Sequence, residues 1–245
     1  MIRRAAALLV TLLPGAVLAD PSCRDVGFEA ETYTVCEVDA ATSDLRTFLY
    51  DGKGDVLGQF SAVEGALAQD GKRLVFAMNG GMYHSDRSPV GHYVEDGAEL
   101  MRVIPNAGPG NFGLLPNGVF CIGAARADVF ETLDFLKQQP KCQFATQSGP
   151  MLVIDGGLHP RFIPDSPSRH VRNGVGTSPD GQRVVFAISQ RAVNFHDFAR
   201  FFRDGLNLSN ALYFDGKVSR LYAPDVGRSD FGFALGPIVG VVTER

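Results

Sequence analysis

Leu74-Val-Phe-Ala-Met-Asn-Gly-Gly-Met-Tyr-His-Ser-Asp-Arg-Ser-Pro-Val-Gly-His-Tyr-Val-Glu-Asp-Gly97 is the stretch around which the chain is organised. It begins as an apolar strand, Leu74 to Met78, that stops at Asn79-Gly80-Gly81, and a second apolar and aromatic run follows from Val90 to Val94. Asn-Gly alone suffices to turn a chain between strands. Here the turn also carries Tyr83, His84, Ser85, Asp86 and Arg87, a density of donors, acceptors and titratable groups that reversing the chain does not require. One of them, histidine, exchanges protons near neutral pH. The stretch therefore reads as strand, decorated loop, strand, with the loop as one wall of a polar site.

The same grammar recurs outward in both directions. Thr32 to Val38 alternates, and Leu45 to Tyr50 runs into the hairpin signal Asp51-Gly52. Ser61 to Gln69 predicts a helix with Ser61 and Glu64 as a capping box. Phe112 to Leu115 and Val119 to Ile122 flank Pro116-Asn117-Gly118, a second hairpin signal. Ala127 to Gln138 carries Val129, Phe130, Leu133 and Leu136 at helical spacing, which predicts a helix with those residues in the core. Strands are expected at Pro150 to Ile154, Arg183 to Ser189, Ala211 to Phe214 and Leu235 to Val242, with Lys217 to Tyr222 pairing back after Asp215-Gly216. Asn194 caps a third helix to Arg203, with Phe195, Phe198, Phe201 and Phe202 as its apolar stripe. About a dozen short strands, three helices and no recurring βαβ rhythm predict an α+β fold with mixed or antiparallel sheets.

Met1 to Ala19 reads as a secretory signal peptide: Arg3-Arg4, an apolar run to Leu13, and a small-residue cleavage site before Asp20. Residues 20–245 are then one domain, with no linker-like tract and no internal repeat. Cleavage takes two arginines from 23 basic residues and none of the 27 acidic ones, moving the formal charge from −4 to −6. A mildly acidic chain without a basic stretch does not fit nucleic acid, and no apolar run after the leader is long enough to span a membrane. The expected product is exported, periplasmic in a Gram-negative host, with a small polar ligand as its partner. Cys23, Cys36, Cys121 and Cys142 make an even count, which in an exported chain predicts disulfides. Three connectivities are open; Cys23–Cys36 and Cys121–Cys142 are favoured because each closes a short loop. No Cys-x-x-Cys or His-x-x-His spacing supports a metal alternative.

Four strand ends share one format, a polar residue beside glycine: Asn79-Gly80-Gly81, Ser148-Gly149-Pro150, Arg172-Asn173-Gly174 and Asp215-Gly216. Glycine lets backbone N–H groups approach a ligand, and successive N–H groups make anion-binding nests. Arginine adds a bidentate clamp for phosphate or carboxylate. Together they predict a pocket for something anionic and rich in hydroxyls. The Gly-x-Ser-x-Gly elbow, the Walker loop and His-Glu-x-x-His are absent from the sequence, and no dinucleotide fingerprint sits in a βαβ unit.

Asn79-Gly-Gly-Met-Tyr83, Gly113-Leu-Leu-Pro-Asn-Gly-Val-Phe120, Ser148-Gly-Pro-Met-Leu-Val-Ile-Asp-Gly156, Arg172-Asn-Gly-Val-Gly176 and Ala211-Leu-Tyr-Phe-Asp-Gly216 occur in an order that resembles the phosphodiester glycosidase family, in its compact, exported bacterial branch. The resemblance covers roughly Val35 to Val242. It implies hydrolysis of a sugar-1-phosphodiester to free sugar and a phosphomonoester, and a connection to exopolysaccharide metabolism. Carried over, Asn79, Ser148, Arg172 and Asp215 occupy motif positions. One departure stands out: the family's last motif resembles Asp-Gly-Gly-x-Ser, whereas Lys217-Val218-Ser219 follows Gly216 here.

On this reading Asp215 is the catalytic carboxylate, His84 the general acid or base, histidine being a residue type suited to proton transfer near neutral pH, and Asn79 a third catalytic residue. Arg172, Ser148, Gly149, Gly80, Gly81, Asn173 and Gly216 hold the phosphate, and Asp86, Tyr83, Glu95 and His92 are second in rank. Two other functions fit the same residues. One is a non-catalytic binder of surface glycans or phosphoglycans. The other is a metal-dependent phosphodiesterase using Asp215, Asp155, His84 and Asp86, for which calcium is the candidate cation.

Overall fold

The computed structural model describes residues 21–245, so the signal-peptide expectation for Met1 to Ala19 lies outside the described residues. Strands β1 (Ser22–Phe28), β2 (Glu31–Asp39) and β3 (Asp44–Phe48) open the fold, followed by α1 (Phe60–Gln69), β4 (Lys72–Asn79) and β5 (Tyr93–Glu95). Next come β6 (Ala98–Met101), β7 (Gly118–Ile122), β8 (Ala127–Glu131), α2 (Thr132–Gln138), β9 (Phe144–Ser148), β10 (Met151–Ile154) and β11 (Gly157–Leu158). The last third holds β12 (Asn173–Thr177), β13 (Arg183–Ser189), α3 (Phe195–Arg200) and β14 (Asn210–Asp215), then β15 (Leu221–Ala223), β16 (Arg228–Ser229) and β17 (Ile238–Glu244).

These strands form three sheets, all with antiparallel pairings. The first has the order β1-β2-β13-β12-β14-β10-β11, the second β16-β15-β4-β17-β3, and the third β6-β5-β9-β7-β8. The sheets face one another across a shared core that takes Phe76 and Met78 from the second sheet, Phe120 from the third, and Phe186 and Phe214 from the first. Phe186 is the hinge of this packing, with ring centroids 5.3 Å from Phe76 and 5.8 Å from Phe120, both edge-on. Each sheet covers its outer face with one helix: α3 buries Phe198 on the first sheet, α1 buries Phe60, Val63 and Leu67 on the second, and α2 buries Phe135 on the third. The fold is α+β with three helices, as the patterning predicts. Cys23–Cys36 ties β1 to β2, and Cys121–Cys142 ties β7 to the segment leading into β9.

The quoted stretch is strand, loop, strand as read, and its loop crosses between sheets, since β4 lies in the second sheet and β5 in the third. Several local expectations are corrected. Lys217 to Tyr222 does not pair back on β14; the chain leaves the first sheet at Asp215, and β15 pairs with β4. Phe112 to Leu115 forms no strand, because Asn117 turns inward and its Nδ2 donates to the Phe112 carbonyl at 3.0 Å, while β7 pairs with β8 and β9.

The Ala127–Gln138 segment is half strand. Ladder pairing of Ala127–Glu131 with β7 overrides the helical spacing, and α2 begins only at Thr132, capped by the Glu131 carboxylate on Leu133 N and Asp134 N. Leu133 and Leu136, expected in the core, are 60 % and 40 % exposed. In α1 no side chain caps the start, and Glu64 instead accepts from the backbone N–H of Leu74 on the neighbouring strand. Tertiary pairing outweighs a capping box worth about 1 kcal/mol.

Candidate active site

The strand ends singled out in the sequence converge on a buried amide pair. Asn79, the last residue of β4, and Asn173, the first of β12, are both fully buried. Asn79 Nδ2 donates to Asn173 Oδ1 at 3.2 Å, and Asn173 Nδ2 donates to Asn79 Oδ1 and to the Asn79 carbonyl at 3.0 and 2.9 Å. The pair stitches the first sheet to the second. Its oxygens then gather the neighbouring elements: Asp215 N and Ser219 Oγ donate to Asn173 Oδ1, both at 3.3 Å, and Arg220 N donates to Asn79 Oδ1 at 2.9 Å. Ser148 joins from the third sheet, with its Oγ donating to the Phe214 carbonyl at 2.8 Å. Thus Asn79, Asn173 and Ser148 are spent on one another and on backbone. They fix where Asp215 stands.

Above this network lies a cleft of about 470 Å³ lined by Tyr83, His84, Asn111, Phe112, His170, Tyr213, Asp215 and Lys217, among others. Asp215 is the one carboxylate among its lining residues. Burial pushes its carboxyl above the ordinary carboxylate range, against the opposing N–H donors of Lys217 and Gly216. The Lys217 N–H is 2.9 Å from Asp215 Oδ1, so this turn holds the carboxylate and its nest is not open to phosphate, which corrects the role expected of Gly216. Tyr213, two residues earlier on β14, and Tyr83 on the loop both have phenols raised chiefly by burial and further by Asp215. His84 is exposed on the cleft wall, and its backbone N–H donates to the Ser88 carbonyl.

Arg172 departs most from expectation. It is fully buried, with Nε on the Val193 carbonyl and Nη2 on the Ser168 carbonyl, each at 2.9 Å. Its guanidinium lies 3.6 Å from the Phe195 ring centroid and 5.4 Å from that of Tyr213. The expected bidentate phosphate fork is corrected: two nitrogens hold backbone, and Nη1 alone is left without a partner. Through Ser168 and Val193 the residue braces the segment that carries His170 into the cleft.

The glycines are explained by packing. A Cβ on Gly81 would lie 2.7 Å from Thr146 Oγ1, one on Gly80 3.1 Å from Val239 N, and one on Gly149 2.6 Å from Asn117 Cβ. The close approach is to neighbouring strands.

Three second-rank residues lie off the cleft. Asp86 accepts from Ser88 Oγ and N within its own loop, which holds its carboxyl below the ordinary range. His92 is buried in the third sheet with Nδ1 3.0 Å from the Met101 carbonyl, its pKa lowered by desolvation. Glu95 accepts from Tyr93 OH at 2.7 Å, and burial pushes its carboxyl up to about 7. Asp215, Asp155, His84 and Asp86 do not gather: among the described residues, no group of three or more His, Cys, Asp or Glu is placed to hold a metal ion. The donor set does not fit a calcium site.

Sequence reasoning missed His170, Tyr213, Asn111, Phe112 and Lys217 as wall residues. Two of these had a signal. Tyr213 shares the β14 face of Asp215 at i, i+2, and His170 sits within the basic run Arg169 to Arg172 that precedes Asn173. Asn111 and Phe112 come from an irregular segment with none.

Residues 72–231 match the family model described as phosphodiester glycosidase. The chain belongs to the phosphodiester glycosidase family. A relative from Escherichia coli (strain K12), the uncharacterized protein YigE, is 35 % identical over 217 residues, covering 88 % of this chain and 83 % of that protein. The fold is similar to the zebrafish N-acetylglucosamine-1-phosphodiester alpha-N-acetylglucosaminidase catalytic domain auto-inhibited by its pro-peptide, with a TM-score of 0.60 at 15 % identity, over 92 % of this chain and 83 % of that one. It is also similar to a hypothetical protein from Synechocystis, with a TM-score of 0.58 at 12 % identity, over 91 % and 61 % of the two chains. In this phosphodiester glycosidase family member, the matched segment spans β4 to the end of β16 and contains all the cleft walls described above.

Proposed function

We propose that the protein is an exported hydrolase that cleaves the glycosidic C–O bond of a sugar-1-phosphodiester, releasing the sugar and a phosphomonoester. The observation that carries this reading is the desolvated Asp215 carboxyl, standing alone in a cleft with two histidines and a lysine, in a chain of the phosphodiester glycosidase family.

One carboxylate is chemically sufficient for such a substrate. Ordinary glycosidases need two, because an alkoxide leaving group must be protonated as the C–O bond breaks. A phosphodiester leaves as a stable phosphomonoester anion, so the acid is dispensable. What remains is to stabilise an oxocarbenium-like carbon and deliver water. Asp215 faces the anomeric carbon as its carboxylate, and burial strengthens that electrostatic contact. His84 takes the proton of the attacking water, whose oxygen bonds to C1 while the C1–O electron pair leaves with the phosphate. Lys217 supplies positive charge and His170 a ring N–H donor for the departing phosphate oxygens. The disulfides suit an oxidising compartment, and no helix among the described residues is long and apolar enough to cross a membrane.

Incubation with a panel of sugar-1-phosphodiesters in H₂¹⁸O tests the reading. Free sugar carrying ¹⁸O is expected. Label in the phosphate identifies P–O cleavage and overturns the mechanism, while binding without turnover across the panel makes the protein a glycan-binding module.

A further inference from the structure

Arg172 is a buried cation without an acid. Its side chain is fully buried, and the one titratable group that supports its charge is Tyr213. Its Nη1 is one of three buried side-chain atoms among the described residues with no hydrogen-bond partner. An uncompensated buried charge is costly and persists where its field serves a neighbouring group. The guanidinium that stacks on Phe195 also lies against the Tyr213 ring, so that neighbour is the phenol.

Tyr213 is held firmly in the cleft wall. Phe195 meets its ring edge-on with centroids 4.8 Å apart, and Phe162 stacks on Phe195 at 5.1 Å. β14 bulges here: Asn173 pairs with Asp215 and Gly174 with Tyr213, which leaves Phe214 between them as the extra residue. Bulges re-aim side chains beside active sites. The phenol tip reaches the Asp215-Gly216 turn, where a Cβ on Gly216 would stand 2.3 Å from its oxygen. Glycine at 216 therefore makes room for that hydroxyl.

Burial and Asp215 keep the phenol protonated, while the side chains of Arg172 and the cleft-lining Asn111 bring donors to it. A phenol oxygen that faces N–H donors accepts from them and turns its own O–H elsewhere. Polarised by a cation behind it, that O–H is a strong donor to an anion.

We propose that Tyr213 donates its O–H to the phosphate oxygen that leaves C1, with Arg172 as the positioning residue behind it; this rests on the phosphodiester reading of the cleft. When the C1–O bond breaks, its electron pair goes to that oxygen and the diester monoanion becomes a monoester dianion. Tyr213 keeps its proton throughout. The hydrogen bond strengthens as the charge develops, so it acts on kcat more than on KM. Asp215 then faces the carbon that gains positive charge, and Tyr213 the oxygen that gains negative charge.

Two measurements test this. 3-Fluorotyrosine introduced at position 213 alone gives a single ¹⁹F signal, without a substitution that could unfold the chain. It is titrated with methyl phosphate, an analogue of the monoester product, and with methyl α-D-glucopyranoside as the neutral control. A saturable shift is expected with methyl phosphate and none with the glucoside. In parallel, Tyr213→Phe is expected to weaken methyl phosphate about tenfold, and to lower kcat on the best diester of the panel about 10- to 100-fold with KM changed less than about threefold. A ¹⁹F signal that methyl phosphate leaves in place overturns the proposal. So does unchanged methyl phosphate affinity in Tyr213→Phe, and if the acidic limb of its kcat–pH profile also moves to higher pH, the O–H belongs to Asp215. If no diester of the panel yields sugar, the hydrolase reading fails by itself, and the methyl phosphate titration still decides whether Tyr213 donates to a phosphate.

Discussion

Replacing Asn173 by alanine is expected to loosen the junction that positions the cleft, and the cost follows from its contacts. The side chain makes five buried or half-buried hydrogen bonds: three with Asn79, one from Asp215 N and one from Ser219 Oγ. Ser219 keeps the Val171 carbonyl and Asn79 Oδ1 keeps Arg220 N, so those partners are not stranded. Asn79 Nδ2 and Asp215 N do lose their partner. Two stranded donors at ~1–3 kcal/mol each, plus the net loss of the shorter bonds, give roughly 3–5 kcal/mol. Urea unfolding at neutral pH, with disulfides oxidised, reads this as a lower midpoint with an unchanged m-value. In a double-mutant cycle with Asn79→Ala, the coupling is expected to reach about 2 kcal/mol, because either truncation already breaks the same pair. A loss below about 1 kcal/mol, or additive effects, would refute the view that the pair joins the first and second sheets.

Asp215→Asn should lower kcat by at least about 10³-fold while leaving the unfolding midpoint unchanged or higher, since it removes a desolvated charge and keeps an acceptor for Lys217 N; unaltered release of sugar removes Asp215 from the reaction. Glu95→Gln tests a carboxyl whose folded value, about 7, lies above the ordinary 4.5. The folded state holds a proton that the unfolded chain has released, so this contribution to stability is complete below about pH 4.5 and is lost as pH rises through 7. Stability of the variant relative to the parent should start near zero at pH 4.5 and grow to roughly 3 kcal/mol at pH 8, and a flat difference contradicts the shift. Arg172→Lys should reduce stability by roughly 2–4 kcal/mol, because lysine cannot bridge Ser168 and Val193 while stacking on Phe195; a stable variant with only a raised KM would restore the phosphate fork.

Much of the site was legible because its markers are local. A strand that ends in Asn-Gly-Gly or Asp-Gly declares where the chain turns, and four such ends in one chain indicated a common locus. Convergence itself was not legible. Asn79 and Asn173 are 94 residues apart, and only the meeting of two sheets makes them partners. The helix expected over Ala127–Gln138 failed for a related reason: local spacing cannot weigh ladder bonds to β7 that form only in the folded chain.

The sequence by itself determined the α+β class, an even set of cysteines whose short-loop pairing was favoured, and Asp215 at the end of an apolar strand. Those features depend on neighbours within a few residues, where propensity and loop entropy act. Only the tertiary structure decided that Arg172 is a buried brace, that Glu95 and His92 face away from the cleft, and that His84, His170, Lys217 and Asp215 share it. Burial and the direction of a side chain are fixed by which sheets pack together, and no stretch of sequence carries that information alone.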